Sequence, residues 1–167
     1  MAEVKFLENV VHTNGPLPLK GTIAPDFSGV KNDLSELSLY SLKGQTVVLN
    51  VFPSLDTPVC AASVRRFNKE AANLPGTTVL ALSKDLPFAQ SRFCTTEGIE
   101  NVIPLSLFRD SGFEEKYGTL LTDGPLKGVF ARAVIVVGKT GEILYSEFVP
   151  EITNEPDYEA ILKAINN

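Results

Sequence analysis

The chain has 167 residues, 44% of them hydrophobic and 21% charged, with a formal net charge of −5. That length predicts one domain, residues 1–167, able to bury a proper core, and the acidic balance argues against a nucleic-acid or anionic-membrane binder, which needs concentrated Lys and Arg. No apolar stretch approaches a membrane span and the N-terminus lacks the layout of a signal peptide, so the expected location is the cytoplasm, where cysteines are more often reduced and catalytic than structural.

Residues 3–13 alternate and read as a short hairpin turning near Glu8-Asn9, followed by a Pro- and Gly-rich loop from Asn14 to Asp26. The run Thr46–Phe52 (TVVLNVF) reads as a strand, Thr57–Asn73 as a helix and Thr77–Ser83 (TTVLALS) as a second strand, together a βαβ unit. Both strands are continuously apolar, the pattern of a parallel sheet covered on both faces. Asp85 reads as the cap of a helix over Leu86–Glu97, which Gly98 stops. A short helix over Ser111–Tyr117 and a loop at Gly124–Gly128 come next. Strands over Ala131–Val137 and Glu142–Val149, joined at Lys139-Thr140-Gly141, precede a closing helix from about Glu155 to Ile165. A βαβ half followed by a ββα half is the order of the thioredoxin fold, an α/β architecture, here with an N-terminal β-hairpin extension and an inserted helical segment.

The chain contains no C-x-x-C, HExxH, P-loop or GxGxxG pattern, and its single histidine, His12, reads as an ordinary strand side chain. A metal site or a Ser-His-Asp triad therefore has almost no material. Catalysis falls to a cysteine or to carboxylates without an obvious pairing. Between the first buried strand and its helix lies Pro53-Ser54-Leu55-Asp56-Thr57-Pro58-Val59-Cys60. Thr57 is a good N-cap and Pro58 suits the first helical position, although Asp56 competes for the cap. Cys60 then falls in the first turn, where unpaired N–H groups and the positive end of the helix dipole favour an anion. That makes it a candidate nucleophile. The competing reading is a small buried hydrophobe: Cys60, Val64, Phe67, Ala71 and Leu74 recur at helical spacing, with Cys60 at the end of the stripe open to solvent.

The other candidates also carry bland readings. Arg65 and Arg66 read as a solvated helix face, and spacing leaves open whether Arg92 approaches either cysteine. Arg132, opening the run Ala133–Val137, reads first as a strand-end charge reaching solvent or a carboxylate. Cys94, beside Phe93, reads as a core cysteine or as half of a structural disulfide worth about 4 kcal/mol. The cytoplasmic context counts against the disulfide.

The motif Pro53-x3-Thr57-x2-Cys60 resembles the P-x-x-x-T-x-x-C motif of the peroxiredoxins, and Ala24-Pro25-Asp26-Phe27 resembles the APDF stretch upstream in that family. The strings NVFPSLDTPVCAASVRRFN, SKDLPFAQSRFC and DGPLKGVFARAVIVV are similar to the thiol peroxidase subfamily, the atypical two-cysteine peroxiredoxins. The resemblance covers essentially the whole chain. It implies a peroxidatic Cys60 that attacks hydrogen peroxide or an organic hydroperoxide and becomes a sulfenic acid. It also implies a Thr57 hydroxyl between thiolate and peroxide, Pro53 shielding the pocket and fixing the turn, and Arg132 as the charged partner. Cys94 is implied as the resolving cysteine of an intramolecular disulfide that thioredoxin reduces, in a homodimer without metal, haem or flavin.

A magnitude shows why such helpers matter. A free thiol of pKa about 8.5 is roughly 3% thiolate at pH 7. Full ionisation therefore adds only about 2 kcal/mol, and the rest must come from positioning and from charge stabilisation at the leaving oxygen. The rival from another class is a non-catalytic thioredoxin-fold redox sensor, which would oxidise once and sustain no turnover. A thiol-disulfide oxidoreductase is disfavoured by the absence of C-x-x-C.

Overall fold

In the computed structural model, which describes residues 1–109 and 112–166, the strands in chain order are Glu3–Phe6 (β1), Asn9–His12 (β2), Ser28–Val30 (β3), Glu36–Ser38 (β4), Thr46–Val51 (β5), Thr77–Ser83 (β6), Val102–Ser106 (β7), Ala133–Val137 (β8) and Ile143–Phe148 (β9). The helices are Pro58–Ala71 (α1), Pro87–Glu97 (α2), Phe113–Tyr117 (α3) and Tyr158–Ile165 (α4), with a 3-10 turn at Leu39–Leu42. β1 and β2 pair only with each other as strands, and the rest form one mixed sheet in the order β4-β3-β7-β6-β5-β8-β9. β5, β6 and β7 run parallel, while β8 lies antiparallel to β5 and to β9. This is the α/β, thioredoxin-type arrangement read from the sequence. The N-terminal hairpin and the extra helical stretch are both present.

β5 is buried along its whole length because both its faces are covered. With side chains alternating, Val47, Leu49 and Val51 pack with Phe27, Phe113, Tyr117 and Phe130 on one side. Val48 packs with Val64 and Phe67 of α1 and Ile161 of α4 on the other. Each such buried side chain contributes about 1.5–3 kcal/mol of transfer free energy. The Ala24-Pro25-Asp26-Phe27 stretch serves this core: Phe27 meets Phe113 edge-on at 4.9 Å, and Tyr117 donates its hydroxyl to the Pro25 carbonyl at 2.6 Å.

Several elements differ from the sequence reading. The hairpin turns at Leu7-Glu8, both at positive φ (51° and 69°), and not at Glu8-Asn9. Those left-handed residues cost about 1–2 kcal/mol each. Glu151 offsets this: its two carboxylate oxygens accept from Leu7 N at 2.8 Å and Glu8 N at 3.3 Å. β3, β4 and β7 were not foreseen. β7 carries Pro104 and meets β3 at the single register pair Val30–Ser106, so it is close to an edge strand, where proline is tolerated. Asp85 does not cap α2. Pro87 holds Leu86 extended (ψ 152°), which leaves Leu86 at the N-cap with no side-chain bond. α4 starts at Tyr158, capped by Asp157 just after Pro156, and not at Glu155. α1 ends at Ala71 and is capped by Thr57, not Asp56. The expected start of a helix at Ser111 lies outside the described residues, and α3 is described from Phe113. Among the described residues no helix is long and apolar enough to cross a membrane.

Candidate active site

The chain leaves the end of β5 through Phe52 and Pro53, turns at 54–57, and enters α1. The Thr57 hydroxyl donates to the Ser54 carbonyl at 3.0 Å and accepts from Cys60 N at 3.4 Å, as an N-cap does. Cys60 is thereby fixed in the first helical turn. Its carbonyl accepts from the Ser63 hydroxyl at 2.9 Å, and Asn50 of β5 donates to Ser63 at 3.3 Å, tying this turn to the sheet. The sulfur lies deeper than its place at the end of the helix stripe suggested: Cys60 is 0% exposed.

Arg132 meets Cys60 through strand register. Antiparallel pairing sets Ala133 of β8 opposite Val51 of β5, so the residue before β8 lies beside the residue after β5. Arg132 is 1% exposed, the largest fully buried side chain described. Its Nη2 donates to Cys60 Sγ at 3.1 Å and its Nε to the Ile152 carbonyl at 2.8 Å, while Nη1 is buried without a hydrogen-bond partner. None of the ion pairs among the described residues involves it. A cation this deep without a carboxylate is costly unless another anion joins it. The sulfur is the group in place to be that anion.

Beside these residues is a cavity of about 150 Å³ walled by Phe6, Pro53, Thr57, Leu126, Arg132 and Ile152 among others. Phe6 comes from the N-terminal hairpin, whose β1 edge bonds to the 150–152 segment through Lys5 N to Pro150 O (2.7 Å) and Ile152 N to Lys5 O (2.8 Å). The structure thus brings Cys60, Thr57, Pro53 and Arg132 together. Phe6, Leu126, Ile152 and Asp85 escaped sequence reasoning. Only Asp85 carries a signal, its position just after β6, and in the sequence that position reads as a helix cap.

Cys94 sits apart, in the last turn of α2, half-buried at the edge of the apolar cluster that contains Cys60. Both thiols are free. Burial pushes the Cys94 thiol up, and a hydrogen bond from Asn32 opposes that shift. α2 closes at Gly98 (φ 67°), whose N–H, with that of Ile99, returns to the Cys94 carbonyl. Arg65 pairs with Glu97 at 3.3 Å and Arg66 with Glu70 at 2.9 Å, both exposed, and Arg92 is exposed as well. The cation at the sulfur is Arg132 alone among these arginines.

The chain is similar to known proteins along nearly all of its length. The Redoxin family model matches residues 19–162. Thiol peroxidases from Mycobacterium tuberculosis and Corynebacterium glutamicum are each 52% identical to this chain, over 99% of it and 99% and 100% of themselves. A peroxiredoxin-like protein from Aquifex aeolicus superposes with a TM-score of 0.93 at 41% identity, covering 98% of this chain and 95% of that one. A thiol peroxidase from Chromobacterium violaceum, at 23% identity, shares the fold with a TM-score of 0.89, over 98% and 95% of the two chains.

Proposed function

Given that the chain belongs to the Redoxin family, in its thiol peroxidase branch, we propose that it reduces hydroperoxides at Cys60 and resolves the product through Cys94. The observation that carries the reading is the 3.1 Å contact between a buried, carboxylate-free arginine and the Cys60 sulfur. The Cys60 thiolate attacks the terminal oxygen of ROOH. An S–O bond forms, the O–O bond breaks, and the departing alkoxide takes a proton to leave as ROH. Arg132 Nη1, buried and unpartnered, is a donor available to the oxygen that gains charge. The Thr57 hydroxyl, fixed by Ser54, orients the peroxide, and Pro53 excludes water from the same side. The apolar lining of the 150 Å³ cavity suits an alkyl hydroperoxide as well as hydrogen peroxide.

In the second half-reaction the Cys94 sulfur attacks the Cys60 sulfenic acid. An S–S bond forms and water leaves. An external dithiol, thioredoxin on this reading, reduces the disulfide and restores both thiols. We place the reaction in a single domain acting as a homodimer in the cytoplasm, with no cofactor required. Sedimentation giving only monomer in both redox states would remove the dimer from this account.

The test is a coupled assay with NADPH, thioredoxin and its reductase. Sustained peroxide-dependent flux is expected in the wild type and none in Cys60→Ser, because serine ionises far too weakly. Flux retained in Cys60→Ser would refute the assignment of the nucleophile. A single round of oxidation without flux would favour a sensor.

A further inference from the structure

Asp85 lies two residues beyond β6, and parallel pairing sets the end of β6 beside the end of β5, where the Cys60 turn begins. Its carboxylate gathers three donors. Oδ1 accepts from the Ser54 hydroxyl at 2.8 Å, and Oδ2 accepts from Leu55 N at 2.8 Å and the Ser83 hydroxyl at 2.7 Å. The Asp85 carbonyl takes a further bond from the Ser106 hydroxyl of β7, so the carboxylate is held from behind. Ser54 is the next link. Its carbonyl accepts from both Thr57 N (3.2 Å) and the Thr57 hydroxyl (3.0 Å), and its own hydroxyl accepts from Asp56 N at 3.2 Å. The hydroxyl proton of Thr57 is therefore committed to Ser54, which leaves the oxygen's lone pairs to accept, one of them from Cys60 N.

Resting on the peroxidase reading above, we propose that Asp85 is a positioning residue for the peroxide-reduction step, acting through Ser54 on the Thr57 hydroxyl. Neither Asp85 nor Ser54 walls the cavity, so neither touches the peroxide. What they fix is the hydroxyl of Thr57, a residue of the cavity wall. Ser83 also receives a bond at 3.2 Å from Gln90, a fully buried residue one turn before Cys94 on α2. The same carboxylate thus joins the turn that presents Cys60 to the helix that presents Cys94.

An Asp85→Asn side chain keeps its size but turns an NH2 toward donors, so Ser54 or Leu55 loses its acceptor and the turn shifts. A displacement of this kind near reacting atoms slows a reaction by as much as about 100-fold. The experiment is stopped-flow oxidation of Cys60 by cumene hydroperoxide, with Asp85→Asn in two backgrounds, wild type and Thr57→Val. The expected result is a loss of roughly 10- to 100-fold in the wild-type background and less than about threefold where the Thr57 hydroxyl is already gone. A wild-type-like rate in Asp85→Asn, or an equal loss in both backgrounds, would overturn the inference and leave the peroxidase reading standing. No reaction of wild-type Cys60 with the peroxide would overturn the peroxidase reading itself, and the inference with it. Circular dichroism monitors the fold. If Asp85→Asn does not fold, Ser54→Ala takes its place: it removes one donor to the carboxylate and must show the same background-dependent loss, or the inference fails.

Discussion

In an Arg132→Met variant the guanidinium is gone, while an unbranched side chain still fills a site only 1% exposed. Two interactions disappear: Nη2 to Cys60 Sγ at 3.1 Å and Nε to the Ile152 carbonyl at 2.8 Å. Removing one preorganised donor to a developing charge costs about 10²–10³-fold in rate, or roughly 3–4 kcal/mol. Stability should move differently. A buried cation without a carboxylate carries a desolvation cost of several kcal/mol, and its replacement by an apolar side chain of similar volume is often neutral or stabilising. The Ile152 carbonyl left without its arginine donor costs about 1–3 kcal/mol in return. The expected outcome is an attack on peroxide slower by about 10²–10³-fold with a melting temperature little changed. Alanine is a poorer probe at this depth, because the cavity it leaves costs about 2–5 kcal/mol and would mix packing with chemistry. Stopped-flow thiol oxidation paired with thermal melts of the same preparations gives both quantities. An attack rate within a few-fold of wild type, with a clearly lowered melting temperature, would make Arg132 a structural residue and refute the reasoning.

Cys94→Ser should consume one equivalent of hydroperoxide and then lose thioredoxin-supported turnover; steady flux in that variant removes Cys94 from the resolving role. His12 bonds to Asp123 at 2.7 Å and faces Glu3 at 3.5 Å, and those carboxylates, Asp123 foremost, raise its pKa above 6.5. The stabilisation it lends the hairpin is therefore complete below pH 6.5 and lost as pH rises through the raised value. An NMR titration of the His12 ring with a midpoint at or below 6.5 would contradict this, as would unchanged pH dependence of hairpin amide protection in His12→Asn. Gly118→Ala should lower stability by about 1–3 kcal/mol in urea denaturation, because a Cβ at φ +64° would sit 2.3 Å from the Pro16 carbonyl oxygen; an unchanged midpoint would show that the 15–16 backbone yields freely. α2 should exchange its amides before α1, since it lacks a side-chain cap and buries only Pro87 and Gln90, whereas α1 has the Thr57 cap and buries Cys60, Ser63, Val64 and Phe67. Equal or greater protection of α2 in the reduced protein would reverse that order.

What the sequence disclosed was what local chemistry encodes. The β5–α1–β6 unit announced itself through two continuous apolar runs and a Thr-Pro helix start, and Gly98 marked the end of α2. β3 and β4, of three residues each, are too short to show a period, and β7 is interrupted by Pro104. The Leu7-Glu8 turn contains neither Gly nor Asn, because the acceptor that holds it, Glu151, lies far along the chain. Arg132 reaches Cys60 only through the β5–β8 register, which no spacing rule reports. Asp85 shows the same limit from the other side. A carboxylate before a helix reads as a cap, and only the parallel alignment of β5 and β6 reveals that two of its three donors are in the neighbouring turn.

The proposed reaction asks opposite things of that turn. Attack needs a dry sulfur held against a fixed guanidinium; resolution needs the sulfur to leave its burial and meet Cys94 with Cα atoms within about 7 Å. The bonds that fix the turn are few and polar: Thr57 with Ser54, Ser54 and Leu55 with Asp85, and Arg132 with the sulfur. Each contributes on the order of 1 kcal/mol net, somewhat more where a charge is involved. The apolar anchors of α1, Val64 and Phe67, begin one helical turn later and contribute about 1.5–3 kcal/mol each. The first turn can therefore unwind by exchanging a handful of hydrogen bonds with water and baring Leu55 and Cys60, while the rest of α1 stays packed on the sheet. Oxidation helps in the same direction, since a neutral sulfenic acid holds the guanidinium less tightly than a thiolate does. Polar bonds hold the site for the first half-reaction and release it for the second, and of the apolar cluster only Cys60 and Leu55, on the moving turn, must leave their burial.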